Sequence, residues 1–257
     1  MKPRRRREMG KNWVHVALAA VSRFVIDLRV GPRTKELAVQ LVASVALCAP
    51  SAESRPPLFL VDDHLPYPSA ILEVYGKVQH GRRRGGRGRR KHPRLKPPDE
   101  LLAGVVKKVR DATGNLLGVK TRRLFGSKKA LVKRIQQLGI GETINTAHVE
   151  RLNGTMRCQQ ARITRRTRTI SRRTRYLQWS LWLWRDLYNW TRLHASLPQQ
   201  TPAMAQGLAD HLWNVGDYVR YPVHVSDLIQ AIWADDRQIA ATSALEHQNH
   251  LKTVPTS

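Results

Sequence analysis

Two acidic positions and one arginine tract carry the residue types that act on phosphodiesters. Asp62 and Asp63 stand together in "LFLVDDHLPYPSAI", directly behind a four-residue apolar run, and Glu150 lies in "NTAHVERLNGTMR". A carboxylate at the end of a buried strand, joined by another from a helix packed beside it, is one way to hold divalent metals that cleave phosphodiesters, because such metals take oxygen ligands. The same residues admit a plainer role, in which Asp62 starts a turn or caps the next helix and Glu150 pairs with Arg151 or Arg157 on a solvated face. From Arg157 to Arg175 the chain has eight arginines and no acid, interleaved with threonine and serine. Guanidinium groups suit phosphate oxygens, and short hydroxyls add donors to the same backbone. DNA or RNA is the natural partner, with Arg151, Arg157, Arg162, Arg165, Arg166 and Arg168 as candidate phosphate contacts. Four of the seven tryptophans fall between Trp179 and Trp190. They have the chemistry to stack on bases, but their helical spacing favours core packing.

Composition narrows the partners further. The 257 residues carry 45 Lys plus Arg against 19 Asp plus Glu, a formal net charge of +26. An excess of that size points to a polyanion. With 41% hydrophobic residues the chain can bury a core, so it is not a disordered basic tail. Cys48 and Cys158 are the only cysteines, which fits a reducing compartment and excludes a four-cysteine zinc module or a disulfide framework. The longest apolar stretch, "LAVQLVASVALCAP", is interrupted by Gln40 and is too short to span a bilayer. "MKPRRRREMG" is positive without an apolar segment behind it, so it does not read as a secretory signal. The expected location is cytoplasmic, with no membrane partner.

The elements that must position these residues follow from period and turn chemistry. "WVHVALA" and "FVIDLRV" read as two strands joined through "AVSR". After the turn "GPRT", the segment "KELAVQLVASVAL" spaces Leu37, Leu41 and Val45 on one helical face. "LFLVD" is a short buried strand, and "YPSAILEVYG" a helix that ends at Gly76. The order β, β, α, β, α predicts an α/β fold with a mixed sheet covered by helices. Residues 81 to 97 hold nine Lys or Arg in seventeen positions and read as a linker or arm. "AGVVKKVR" and "LLGVKTRRLFG" form a hairpin across "DATGN", followed by a helix over "SKKALVKRIQQLG". A long helical region is expected from about Thr146, with Leu177, Leu181, Trp184 and Tyr188 on one face of its second part. The resulting divisions are 1–12, a basic tail; 13–80, the first part of the main domain; 81–98, an Arg/Gly-rich insert; 99–195, the hairpin and the helical part bearing Glu150; and 196–257, a C-terminal region.

Several of these segments resemble one family. "NTAHVERLNGTMRCQQARITRRTRTISRRT" is similar to the C-terminal catalytic region of bacterial insertion-sequence transposases of the DDE type, with their Asn, Glu-Arg-x-Asn core and basic tract. "TPAMAQGLADHLWNV" resembles the tail of one of its subgroups, "WVHVALAAVSRFVIDLRVGPRT" its first strand pair, and "PLFLVDDHLPYPSAI" its second acidic strand. The resemblance implies a ribonuclease H-like mixed sheet with flanking helices and long basic C-terminal helices. It implies Asp62 and Glu150 as catalytic metal ligands, Mg²⁺ or Mn²⁺ as cofactor, and nicking and strand transfer of DNA. Element ends and target DNA are the implied partners, with a homo-oligomer assembled on them. Tyr67 falls where the family has a tyrosine, and Asp63 replaces its glycine. The family's first aspartate follows a strand of the form Ala-x-Asp, and Ala19 stands there; Asp27, eight residues on, is a poor replacement. With fewer than 13 residues before the first strand and no upstream recognition region, the chain is expected to be one frame of a two-part protein with a companion product, or a truncated remnant. A DNA-binding remnant without turnover is the rival reading, and an RNA-binding scaffold built on "RRRGGRGRR" a third.

Overall fold

The fold is that of a computed structural model, which describes residues 12–48, 55–80, 92–164, 168–169 and 171–222. Two compact units are present, one up to Leu212 and one from Trp213 onward. The second contains a short helix, Val215–Arg220, closed at its N-terminus by reciprocal bonds between Asn214 and Asp217.

In the first unit, β1 (Trp13–Leu18) and β2 (Val25–Gly31) pair antiparallel, with Ala17 opposite Asp27 and a bulge at Ala17/Leu18. Alternation puts Val14, Val16 and Leu18 against a core of Val25, Leu28, Val30, Leu152, Met156, Leu181, Trp184 and Tyr188. Helix α1 (Lys35–Leu47) starts where the Thr34 hydroxyl accepts the Leu37 N–H. Its buried stripe is Ala38, Leu41 and Val42 rather than Leu37, Leu41 and Val45. Leu37 instead lies over Gly31, where a Cβ would come within 3.1 Å of its Cδ2. Strand β3 (Phe59–Asp62) and helix α2 (Pro66–Tyr75) follow, and α2 stops at Gly76. Two short strands, β4 (Lys77–Gln79) and β5 (Arg94–Lys96), lead to the hairpin of β6 (Ala103–Arg110) and β7 (Leu116–Phe125). That hairpin turns through Gly114 at φ +92, a conformation glycine adopts without steric penalty. Helix α3 (Lys128–Gln137) begins at the Ser127 cap.

An α/β class is therefore observed, with strand order β3-β6-β7 in a mixed three-stranded sheet, β3 parallel and β7 antiparallel to β6. The single mixed sheet expected from the sequence is not formed among the described residues: β1–β2 is a separate ladder. The bulge at Ala17/Leu18 ends its regular pairing, and bulges add local twist that carries a hairpin away from its neighbours. A second correction concerns the basic insert. Residues 81–91 lie outside the described residues, but β5 pairs antiparallel with β4, so the end of that stretch is ordered by a backbone ladder. A third concerns the long basic helices. Helix α4 (Ala147–Gln159) ends before most of the arginines, and α5 (Thr174–Trp190) begins after them. The Thr164 hydroxyl donates to the carbonyls of Arg157 and Gln160, satisfying orphan acceptors at the end of α4, and crowded like charges disfavour continuing it. The short helix α6 (Pro202–Ala205) closes this unit. Among the described residues no helix is long and apolar enough to cross a membrane.

Candidate functional site

Strand alternation sorts the acidic residues. One face of β3–β6 packs Phe59, Val61 and Ala103 against α1 and α2; the other packs Leu58, Leu60, Leu102 and Val106 against α3, Ile140 and Ile144. Asp62 is the register partner of Val106 and so belongs to the α3 face. Lys108, two residues beyond Val106, shares that face, and its Nζ lies 2.7 Å from Glu150 Oε2. Asp62 and Glu150 are thus on the same side of the sheet. Asp63 points the other way, 3.0 Å from Lys107 and 4.0 Å from Arg122, so it does not join Asp62.

The two carboxylates on the shared face differ in state. Asp62 is exposed and makes no hydrogen bond or ion pair among the described residues, whereas Glu150 is held by Lys108 and by the Thr146 hydroxyl at 2.8 Å rather than by Arg151 or Arg157. Partial burial opposes ionisation of Glu150, but the bonds from Lys108 and Thr146 and the Lys108 charge outweigh it and keep its carboxyl below the ordinary value. The charge of Asp62 reaches His15, His64 and Tyr67. Burial, followed by the neighbouring Asp62 charge, pushes the Tyr67 hydroxyl far up, with Arg33 pulling the other way. His15 and His64 are 6% exposed, their rings 5.5 Å apart, and burial is the main reason both titrate below the ordinary value.

From β1, then, the titratable neighbour of Asp62 is the imidazole of His15. Ala19 sits half-buried after the strand, its N–H donating to Phe24 O at 2.8 Å. Asp27 is fully committed elsewhere: its oxygens accept from Leu28 N at 2.8 Å, Arg29 Nε at 2.6 Å and Ser44 Oγ at 2.7 Å, with Arg185 3.7 Å away. Mg²⁺ demands an oxygen-rich octahedral shell. Here one carboxylate is free, one is neutralised by an ammonium, and among the described residues no three His, Cys, Asp or Glu side chains are grouped to hold a metal. A two-ion centre does not fit these residues.

The candidate phosphate contacts are arrayed along and after α4. Arg151 and Arg157 are exposed on the helix, Arg168 is exposed beyond it, and Arg162 Nη1 donates to Ser171 Oγ at 3.1 Å. Arg165 and Arg166 lie outside the described residues. A second set was missed by reading the sequence for arginine runs. Lys107, Lys108, Arg110, Lys120, Arg122 and Arg123 are exposed on β6–β7, and Lys107 stands directly opposite Lys120. The signal was available in "KKVR" and "KTRR", two cationic stretches placed to pair across one hairpin. The tryptophans divide: Trp184 is buried and donates to Gln159 Oε1 at 2.9 Å, while Trp179 is 53% exposed with the Arg175 guanidinium 5.8 Å from its ring. No protein-family model, curated protein or solved structure matches this chain.

Proposed function

We propose that the chain is a transposase-type catalytic domain of ribonuclease H-like descent that grips DNA but does not cut it efficiently. The observation that carries this reading is the shared sheet face of Asp62 and Glu150, set among exposed cations, with Lys108 already neutralising Glu150. Arg157, Arg162 and Arg168 after Glu150 contact backbone phosphates, and the cations of β6–β7 extend the contact. Lys108 and Glu150 hold one another, so this carboxylate is not free to receive a proton or a cation until the pair opens. Binding without chemistry is the consequence, because phosphate neutralisation does not depend on a cutting centre.

The test is the affinity for short duplex DNA as a function of salt. Replacing Arg157, Arg162 and Arg168 together with alanine is expected to weaken binding to all sequences about equally and to lower the salt slope by roughly one for each arginine that neutralises a phosphate. An unchanged slope places the DNA face elsewhere. As a control in the same samples, nicking in Mg²⁺ or Mn²⁺ that Glu150→Gln abolishes would overturn the claim of inefficient cutting.

A further inference from the structure

A glycine inside a strand answers to one of three needs: a backbone conformation that other residues avoid, a neighbour too close for a Cβ, or an outside surface that comes close to the backbone. Gly118 in β7 meets neither of the first two. Its φ is not positive, and a Cβ built on it would find nothing within 4 Å. A bulge lies beside it, but the residue that the ladder skips is Leu117, since Val109 pairs with Gly118 and Arg110 with Leu116. Gly118 has none of the left-handed backbone through which glycine serves a bulge. Solvation alone accounts for exposed lysines; it does not account for a glycine that neither the conformation nor the packing of the chain uses.

The surroundings of Gly118 are a ribbon that no core covers. Strand β3 pairs with β6 only as far as Asp62 opposite Val106. Beyond that point β6 and β7 have only one another, with Lys107 and Lys120 exposed on one face and Lys108 and Val119 on the other. A two-stranded ribbon is marginal in water by itself. Its turn is nevertheless tied: Asp111 Oδ1 accepts from the Thr113 hydroxyl and the Asn115 N–H, both at 2.7 Å, and Arg110 Nη1 donates to the Gly114 carbonyl at 2.7 Å. Toward that end Leu116, Leu117 and Val119 are each more than half exposed. Directly opposed residues share a face, so Gly118 lies in line with Lys120 and Arg122 on β7 and with Val109 and Lys107 on β6. Among the described residues the acid paired with that face is Asp63 at its base, 3.0 Å from Lys107 and 4.0 Å from Arg122, and Lys120 has no ion pair.

We infer that the ribbon beyond Val106 lies in the major groove of duplex DNA, with the face of Lys107, Gly118, Lys120 and Arg122 turned to it and Gly118 the point of closest approach. The inference rests on the DNA-binding reading above and gives it a docking element. A groove about 12 Å wide admits a two-stranded ribbon. The cations reach the phosphates along its walls, and Leu116 and Leu117 at the tip offer apolar surface to base edges such as the thymine methyl. The missing side chain at Gly118 lets the strand backbone come into contact with the groove, where any Cβ would hold it off.

The unaltered full chain, Gly118→Val and Lys120→Gln are compared in thermal unfolding and in binding to a short DNA duplex and an RNA duplex of the same sequence. Valine suits an open strand better than glycine, so Gly118→Val is expected to keep or raise the melting temperature. The same substitution, which leaves the charge unchanged, is expected to weaken binding to the DNA duplex by roughly tenfold. Lys120→Gln is expected to lower the salt slope on the DNA duplex by about one. The RNA duplex, whose major groove is deep and narrow, is expected to bind the unaltered chain and Gly118→Val alike. A fall in melting temperature with Gly118→Val overturns the inference, because the fold then uses the glycine. Unchanged DNA affinity with Gly118→Val, an unchanged slope with Lys120→Gln, or an equal loss on the RNA duplex overturns it as well, and each leaves DNA binding by the rest of the chain intact. Failure of the unaltered chain to bind any duplex removes the DNA-binding reading and the ribbon together.

Discussion

The hairpins β1–β2 and β6–β7 are built alike and used oppositely. In β1–β2 the polar groups are answered from within. Asn189, 1% exposed, accepts from Val25 N and donates to Val25 O, both at 2.9 Å; Gln178 does the same for Val30 N and Leu28 O, and Trp182 adds a donor to Leu28 O. Helix α5 thus clamps the edge of β2 with side-chain amides, and Asp27 is enclosed by Arg29, Ser44 and Arg185. In β6–β7 only the first half of β6 is buried; beyond Val106 the strands are exposed and cationic, with Lys107 facing Lys120. Like charges opposite one another in a ladder are destabilising. The first hairpin encloses its polar groups in the fold; the second leaves its cations exposed, with Lys107 and Arg122 near Asp63 and Lys108 on Glu150.

The sharpest way to break this contrast is Asp27→Ala. Removing a buried carboxylate strands Arg29 and Arg185, and is expected to cost about 3–5 kcal/mol in urea unfolding. Asp62→Asn, at an exposed position with no hydrogen bond or ion pair among the described residues, is expected to stay within about 0.5 kcal/mol. Equal losses at the two positions would end the distinction between a structural and an available aspartate. The next effect is of the opposite sign. Lys120→Glu, which turns a like-charge pair into a complementary one, is expected to stabilise the hairpin by roughly 0.2–1 kcal/mol while weakening duplex binding. A loss of stability with no change in binding would show that this hairpin's charge is spent internally after all.

The smallest expected effect lies between the two regions, at Glu150 and Lys108. With its carboxyl held below the ordinary value in the folded chain, Glu150 contributes stability that is fully present above the ordinary carboxylate range and is lost as pH falls through the folded-state value. The pair is largely exposed, so the contribution stays within roughly 0–1 kcal/mol and shrinks with salt. Lys108→Ala is expected to flatten that part of the acid-side stability curve. An unaltered curve would mean that Thr146 and the helix, not Lys108, hold the carboxylate.

Elements set by local pattern were legible without coordinates. The bounds Lys35–Leu47 follow from the turn "GPRT", the helical period and the end of the apolar run; the β6–β7 hairpin follows from Gly114 and Asn115 between two alternating stretches. The stripe Leu177, Leu181, Trp184 and Tyr188 packs inward as its spacing requires. The extent of α4 was not legible, because the arginine tract satisfies a helical reading until Thr164 bonds back to Arg157.

By itself, the sequence determined what is encoded within a few residues: the strands β1, β2, β3, β6 and β7, the helices between them, the inward face of α5, the large excess of positive charge, and the opposite facing of Asp62 and Asp63 at the end of one strand. Only the tertiary structure decided which charges meet. Asp27 is closed off by Ser44, 17 residues away, and by Arg185 on a distant helix. Glu150 is claimed by Lys108, and Arg23 is joined to Ser196 across 173 positions. Periodicity reports the direction of a side chain relative to its own element, whereas an ion pair depends on which two elements are packed together. The commitment of Asp27 and the availability of Asp62 arise from that packing.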